Sequence, residues 1–229
     1  MSLSEPLSGA LLGGLAASLA TALGALPALA LRSVSDRLEG VMLGFAAGVM
    51  LAASAFSLIV PSIDAGEALF DGRMPAALLA AVAIGAGAVV MVGIDRTLPH
   101  EHRYLGAHGV KTQWARVWLL VLAILIHNFP EGLVVALALR SIGYSPARAV
   151  LIAAATGLAE PLGAVLASAI TGLAPALYPF GLALAAGAML FVVSHEIIPE
   201  THRKGHQLPA TLGVMGGFAV MMVLDNAFA

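Results

Sequence analysis

The sequence predicts an all-α membrane protein, a polytopic helical bundle with about seven spans. Hydrophobic residues make up 60% of the 229 residues, and the mean hydropathy is +0.96. Charged residues make up 10%, whereas about 25% are charged in soluble domains. The apolar residues also fall into separate stretches of about 20 residues, the length that a helix needs to cross a bilayer. We therefore expect a single transmembrane domain over residues 1–229.

Seven apolar stretches are long enough to cross the membrane. Pro27 lies near the end of the first and is expected to bend it. Alanine and 25 glycines, as at Gly44 and Gly48, allow close packing of helices in lipid. The predicted spans are 8–31, 41–63, 75–94, 117–139, 149–171, 173–199 and 208–228.

The charge and the cysteine content exclude several kinds of partner. The formal charge is −2 and there is no basic tail, so nothing indicates nucleic acid as a partner. The chain has no cysteine, which removes disulfides and thiolate ligands and argues against a copper(I) site. The lipid bilayer and a cation with nitrogen and oxygen ligands remain as expected partners.

A polar hexapeptide, residues 127–132, interrupts the fourth apolar stretch. His127 and Glu131 are four residues apart, so a helix would project both from one face, where they could bind a divalent cation. Pro130 is expected to kink this helix and to free backbone oxygen beside the site. In a soluble core a kinked helix with a satisfied His–Glu pair would be the ordinary explanation. A membrane span with a second carboxylate favours the metal site.

That second carboxylate is Glu160, followed directly by Pro161 in the middle of the fifth stretch. An ionised group at the centre of a bilayer costs about 3 kcal/mol on insertion scales unless a partner offsets it. No Lys or Arg lies at a comparable depth in the sequence. A cation shared by Glu131 and Glu160 would satisfy both carboxylates.

Two further groups of polar residues lie near the ends of the spans. The segment 95–116 begins with Asp95 and carries three histidines, which could hold metal loosely or simply be exposed. The sixth stretch ends with His195 and Glu196, which indicate either a polar helix terminus or part of a metal path. Their order resembles the start of the His-Glu-x-x-His zinc protease motif, but Pro199 occupies the second histidine position. We therefore expect no enzyme.

The positions of the basic residues conflict with simple alternation of seven spans. Because Lys and Arg concentrate in cytoplasmic loops, they should indicate the orientation, but strict alternation divides the 11 basic residues five against six. If the loops 95–116 and 140–148 share the cytoplasmic side, only Arg73 is left opposite the other ten. A single span at 117–139 cannot cross and return, unless it breaks at 128–132 and forms a shallow re-entrant hairpin.

Three motifs resemble the ZIP (Zrt/Irt-like) metal transporters, in particular the bacterial members. They are residues 127–132, 157–163 and 194–202, and they occur in the family's order. The resemblance implies eight spans and transport of a divalent cation across the cell (inner) membrane of a bacterium. Nitrogen and oxygen ligands suit Zn²⁺ and, less selectively, Fe²⁺, Mn²⁺ or Cd²⁺. The resemblance further implies that the metal ligands are His127, Asn128, Glu131 and Glu160. It implies a cytoplasmic release path made of His195, Glu196 and Asp95, and it is compatible with a homodimer.

The sequence departs from the family pattern at one place. Family members carry a second Pro-Glu-Gly motif about one helix after the first, and this chain has one such motif. Residues 133–140 resemble the family segment that comes after the second copy, as though the stretch between the two had been lost in frame. The alternative function is therefore a truncated membrane protein that binds metal without transporting it, or that serves as an oligomer partner.

Overall fold

The computed structural model describes residues 4–30, 35–97, 129–141, 143–203 and 205–228. Within these ranges the chain is helical and holds no strand. Two π-helical segments join consecutive helices: π1 (Ser54–Ile59) links α3 to α4, and π2 (Val193–Ile197) links α9 to α10. The helices are α1 (Ser4–Ala25), α2 (Pro27–Ala30), α3 (Asp36–Ala53), α4 (Val60–Glu67), α5 (Arg73–Thr97), α6 (Phe129–Ser141), α7 (Pro146–Thr156), α8 (Ala159–Leu173), α9 (Leu177–Val192), α10 (Ile198–His202) and α11 (Gln207–Phe228).

The predicted all-α membrane bundle is confirmed for the described residues. Six stretches are long and apolar enough to cross a membrane, and they correspond to six of the predicted spans. The remaining prediction, 117–139, lies largely outside the described residues. Its last part forms α6, whose 13 residues extend about 20 Å at 1.5 Å per residue, less than the bilayer core. The six stretches are Leu7–Ala30, Asp36–Glu67, Arg73–Thr97, Pro146–Leu173, Leu177–His202 and Gln207–Asp225.

Prolines determine where the long helices bend. The expected bend at Pro27 is present, because a turn at Leu26 separates α1 from α2. Pro61 and Pro199 each follow a π-helical segment. A proline has no N–H for the carbonyl four residues earlier and its ring crowds that carbonyl, so a regular α-helix cannot continue through it. The wider π turn before each proline accommodates this loss.

Two pairs of parallel helices, α3 with α11 and α5 with α9, form one half of the bundle. Glycines make these contacts possible, since a methyl group at Gly44 or Gly48 would clash with α11. The same holds between α5 and α9 at Gly87 and Gly187. Small residues are the usual basis of close helix packing in lipid. Moving an apolar side chain from lipid into a helix interface gains little free energy, because both surroundings are apolar.

The other half of the bundle is built around α1, which packs against α6, α7 and α8. A methyl group at Gly132 of α6 would clash with the carbonyl of Thr21, so the two backbones are in direct contact. Further along, the guanidinium of Arg140 donates a 2.7 Å hydrogen bond to the carbonyl of Ala28. Both contacts show that α6 runs parallel to α1 and ends beside α2.

Every described basic residue except Arg73 lies at one end of the bundle, which we call the basic end. Gly40 at the start of α3 faces the carbonyl of Thr201, and Asp95 at the end of α5 meets His195. The side chain of Arg140 is bonded to α2, which lies close in sequence to the start of α3. The residues at the basic end are Arg37, Arg96, Arg140, Arg148 and Arg203.

This arrangement places Thr97 and Ser141 at the same end of the bundle. That agrees with the grouping of loops by their basic residues, whereas strict alternation over seven spans would put the two residues at opposite ends. The described backbone thus favours the charge-based topology over simple alternation.

Cysteine labelling will test this topology, because the parent chain has no cysteine. In a uniformly oriented population, Thr97→Cys, Ala147→Cys and His206→Cys should react with an impermeant reagent from one side of the membrane. Asp71→Cys, in the exposed turn before α5, should react from the other side. Labelling of positions 97 and 147 from opposite sides would contradict the shared end.

Candidate metal centre

The fifth predicted span is broken at its centre, and the break presents Glu160. α7 ends at Thr156, residues 157–158 form a turn, and α8 begins at Ala159. Pro161 fits here because the first turn of a helix needs no intrahelical N–H donor. Glu160 lies in the same turn, where the partial positive charge of the helix N-terminus favours a carboxylate.

One oxygen of Glu160 is bound by a hydroxyl on another helix. Thr21 of α1 donates a hydrogen bond to Oε1 of Glu160, and Thr21 is only 2% exposed. The carbonyl of the same threonine contacts Gly132, the residue after Glu131. Thr21 therefore touches both elements that carry the predicted carboxylate ligands.

The other oxygen of Glu160, Oε2, is buried and has no hydrogen-bond partner among the described residues. No described Lys or Arg forms an ion pair with this carboxylate. Leaving a buried carboxylate oxygen without a donor is costly. The carboxylate of Glu160 therefore requires a proton or a cation to offset the cost of its burial.

The remaining predicted ligands are described only in part. His127 and Asn128 lie outside the described residues. For Glu131 the structure gives the backbone, in the first turn of α6. The structure thus brings the backbone of Glu131 and the side chain of Glu160 to Thr21, and a shared ion at the four residues stays a prediction.

A second group of potential ligands lies at the basic end. One ligand atom each from Asp95, His195 and Glu196 lie within 4.8 Å of one another. The His195 Nε2 and Glu196 Oε1 atoms are 3.9 Å apart, and the imidazole stacks on Phe191 with ring centroids 4.9 Å apart. One imidazole nitrogen and two carboxylates are a ligand set suited to Zn²⁺.

The π2 segment explains why two adjacent residues can join one cluster. The N–H of Ile198 bonds to the carbonyl of Val193, five residues earlier, because Pro199 prevents the regular pattern. In this wider turn, adjacent side chains lie closer together around the helix axis than in an α-helix. The proline that rules out a His-Glu-x-x-His motif therefore shapes the turn that presents His195 and Glu196.

Sequence reasoning missed Thr21. The first span reads as an uncharged apolar helix, although Ser18 and Thr21 are three residues apart and therefore share a face. Both are buried, at 8% and 2% exposure. Two hydroxyls on one face of an otherwise apolar span were the available signal.

The structure also gives a partner to Asp225, the single ionisable residue of the last predicted span. Its Oδ1 accepts a 2.8 Å hydrogen bond from Ser57 in π1. Its Oδ2 is buried without a hydrogen-bond partner among the described residues. This pair lies at the end of the bundle opposite the basic end.

Comparison with known proteins decides the family. Residues 107–225 match the family described as ZIP zinc transporter. The chain is 48% identical to zinc transporter ZIPB of Bordetella bronchiseptica, over 95% of this chain and 81% of that protein. The chain belongs to the ZIP zinc transporter family. It is also 37% identical to zinc transporter GufA of Myxococcus xanthus, over 94% of this ZIP chain and 97% of that protein.

The alignments are longer than this ZIP chain. The alignment with the Bordetella protein has 249 positions, and the chain has 229 residues. Because the alignment includes 95% of this chain, about 218 residues, at least 30 of its 249 positions belong to the relative alone. The length difference agrees with a family sequence that has lost a stretch, as the single Pro-Glu-Gly motif predicts.

Replacing Thr21 by valine should destabilise the metal-free protein, because it removes the described donor to Glu160. Leaving a buried acceptor unpaired costs about 1–3 kcal/mol, whereas Thr21→Ser keeps the hydroxyl. Thr156→Val is a matched control, since the only described partner of its hydroxyl is the carbonyl of Ala153 in the same helix. Thermal unfolding in a chelator measures the effect. Equal stability of Thr21→Val and Thr156→Val would show that the Thr21 contact contributes nothing.

Proposed function

We propose that this chain carries Zn²⁺ across the inner membrane of a bacterium through an intramembrane site of His127, Asn128, Glu131 and Glu160. The observation that carries the proposal is the buried Oε2 of Glu160, which has no hydrogen-bond partner among the described residues and lies in the middle of a stretch long and apolar enough to cross a membrane. A divalent cation would supply the positive charge that the described part of the protein does not. Family membership and relatives named as zinc transporters support transport as the purpose of this site.

The ligand chemistry favours zinc over the common hard cations. Imidazole nitrogen, amide oxygen and carboxylates suit Zn²⁺, with Fe²⁺, Mn²⁺ and Cd²⁺ as further substrates. Mg²⁺ and Ca²⁺ prefer shells made of oxygen alone. Transport requires no bond-making step, and we propose no enzymatic activity.

The basic end supplies a direction for the proposed path. Lys and Arg near span ends mark the cytoplasmic side, so Asp95, His195 and Glu196 would face the cytoplasm together with the histidine-containing segment 95–116. We propose that the three-residue cluster receives the metal after it leaves the intramembrane site. A partly exposed site holds an ion less tightly than an enclosed one, which suits release.

Zinc uptake by reconstituted vesicles tests the proposed function. The parent protein should accumulate micromolar zinc inside vesicles, and Glu160→Ala should not. Millimolar magnesium should leave zinc uptake unchanged, because magnesium prefers an octahedral oxygen shell. Vesicles containing the matched surface variant Glu67→Gln should behave as the parent. Equal competition by magnesium would contradict the proposed ligand set.

The shared ion makes a separate prediction about pairs of variants. Loss of a group that merely orients a ligand costs about 10–100-fold in metal affinity, so Glu131→Ala and Glu160→Ala should each cost at least that. Because ligands to one ion act as a unit, the double variant should lose little more than either single variant. Calorimetric titration with zinc measures all four proteins. Additive losses would indicate two carboxylates that do not share an ion.

Variants of the basic-end cluster should separate binding from release. Asp95→Asn and His195→Ala should slow zinc uptake. The equilibrium affinity for zinc at the Glu160 site should stay within about twofold of the parent, because distant sites usually contribute independently. Glu200→Gln, which alters a carboxylate paired with Arg203 at the same end, is the control. Initial uptake rates and calorimetry on the same preparations provide both readouts. A parallel loss of affinity in the Asp95 variant would show that the two sites are one.

The second candidate is a membrane protein that binds zinc without transporting it. The observation that favours it is that at least 30 of the 249 positions aligned with the Bordetella relative have no counterpart in this chain. Placed between the two Pro-Glu-Gly motifs, this loss would remove the ligands that the family carries on its fifth span. Zinc binding by calorimetry together with no vesicle uptake would identify this function, including service as a partner subunit in a homodimer.

A further inference from the structure

An open groove of about 440 Å³ runs between α3 and α11 near the basic end. Its body is apolar, and its only charged lining residue among those described is Arg37. Val41 and Phe45 line it from α3, and Leu208, Leu212 and Gly216 line it from α11. The described residues of the proposed metal sites do not line this groove.

Glycines on α11 create the groove. A Cβ atom at Gly213 would approach the carbonyl of Val41 to 2.5 Å, so the two helix backbones nearly touch there. Gly216 lies one turn further along, and a Cβ atom at this position would have no neighbour within 4 Å. Close backbone contact beside an empty glycine position leaves a channel that no side chain of the described protein fills.

The groove opens toward the surroundings of the bundle. Leu208 is 70% exposed and Leu212 is 63% exposed, and both lie on a helix that is long and apolar enough to span the membrane. In a bilayer, exposed apolar side chains on a span contact lipid tails. In the membrane, the apolar body of the groove would therefore face lipid tails.

Arg37 gives the groove a charged end. It lies in the first turn of α3, is exposed, and makes no hydrogen bond or ion pair with any described residue. Val41 and Phe45 follow it at four-residue spacing, so the three side chains form one stripe along the helix. The acidic neighbours Asp36 and Glu39 point away from this stripe, at about 100° and 200° around the helix from Arg37 at 3.6 residues per turn. A guanidinium binds phosphate through two parallel N–H donors.

We propose that the groove is a binding site for one anionic phospholipid of the leaflet at the basic end. The headgroup phosphate is held by Arg37, and an acyl chain lies along Val41, Phe45 and Gly216. The volume falls within the range of about 300–1,000 Å³ typical of small-molecule sites. Basic positions between transmembrane helices on the cytoplasmic side commonly receive anionic headgroups, and the apolar body distinguishes a lipid from free phosphate.

Native mass spectrometry of the detergent-solubilised full chain tests this site. Phosphatidylglycerol and phosphatidylcholine with identical acyl chains are added in equal amounts, with inorganic phosphate in a separate arm. The parent should retain one phosphatidylglycerol in preference to phosphatidylcholine and should retain no free phosphate. Arg37→Gln should reduce this preference about fivefold, the effect of one basic side chain near an anionic headgroup.

Two matched pairs of variants separate the site from general effects. Gly216→Leu places a side chain in the groove at a position where a Cβ atom has no neighbour within 4 Å, and it should abolish retention of both lipids. Gly85→Leu, at a position that is equally open to a Cβ atom, should not. Arg148→Gln is the control for charge, because Arg148 likewise follows a serine N-cap at the basic end. Retention that is equal in Arg37→Gln, Gly216→Leu and the parent would identify surface lipid without a site. A change in the monomer–dimer ratio on Gly216→Leu with lipid retention unchanged would identify the face as a subunit interface, and either result overturns the proposal.

Discussion

The structure depends on one constraint, that a backbone inside a membrane must satisfy its polar groups within the protein. Prolines work against this constraint because they lack an N–H donor, and several occur here within spans. Pro61 and Pro199 are each preceded by a π-helical segment, and Pro161 falls in the first turn of a helix that restarts after a break. The chain tolerates each proline by changing the helix locally.

These local changes occur where the polar side chains are found. Ser57 and His195 are each four residues before a proline, and Glu160 directly precedes one. A break or a wide turn presents polar groups that a regular helix would point into lipid or pack against a neighbour. The cost of interrupting a helix in the membrane is thus confined to positions where the protein places hydroxyl, imidazole or carboxylate groups between helices.

The glycine contacts have a comparable double effect. Between α3 and α11 they bring the backbones together and leave a channel at Gly216. Between α1 and α6 the contact of Gly132 with the carbonyl of Thr21 holds the start of α6 against the backbone of the residue whose hydroxyl binds Glu160. In both places the absence of a side chain permits an arrangement that a larger residue would prevent. At Gly216 it leaves the groove open, and at Gly132 it lets α6 pack against Thr21.

The sequence by itself determined the class of the protein, the six described spans and the bends at prolines, and it predicted a set of metal ligands. The length and hydropathy of a span and the position of a proline are local features, so the sequence alone is enough to predict spans and bends. The basic residues also indicated which loops share an end, because charge distribution reflects the membrane and not the packing. The four-residue spacing of His127 and Glu131 could be recognised in the same way.

Only the tertiary structure decided which distant residues meet. Thr21 and Glu160 are separated by 139 positions, and Asp95 lies 100 residues before His195, so no local pattern specifies either contact. Each depends on the rotation and the depth of two packed helices, which are set by the summed glycine and alanine contacts between them. The groove beside Arg37 depends on the same packing, since its walls come from helices at opposite ends of the sequence.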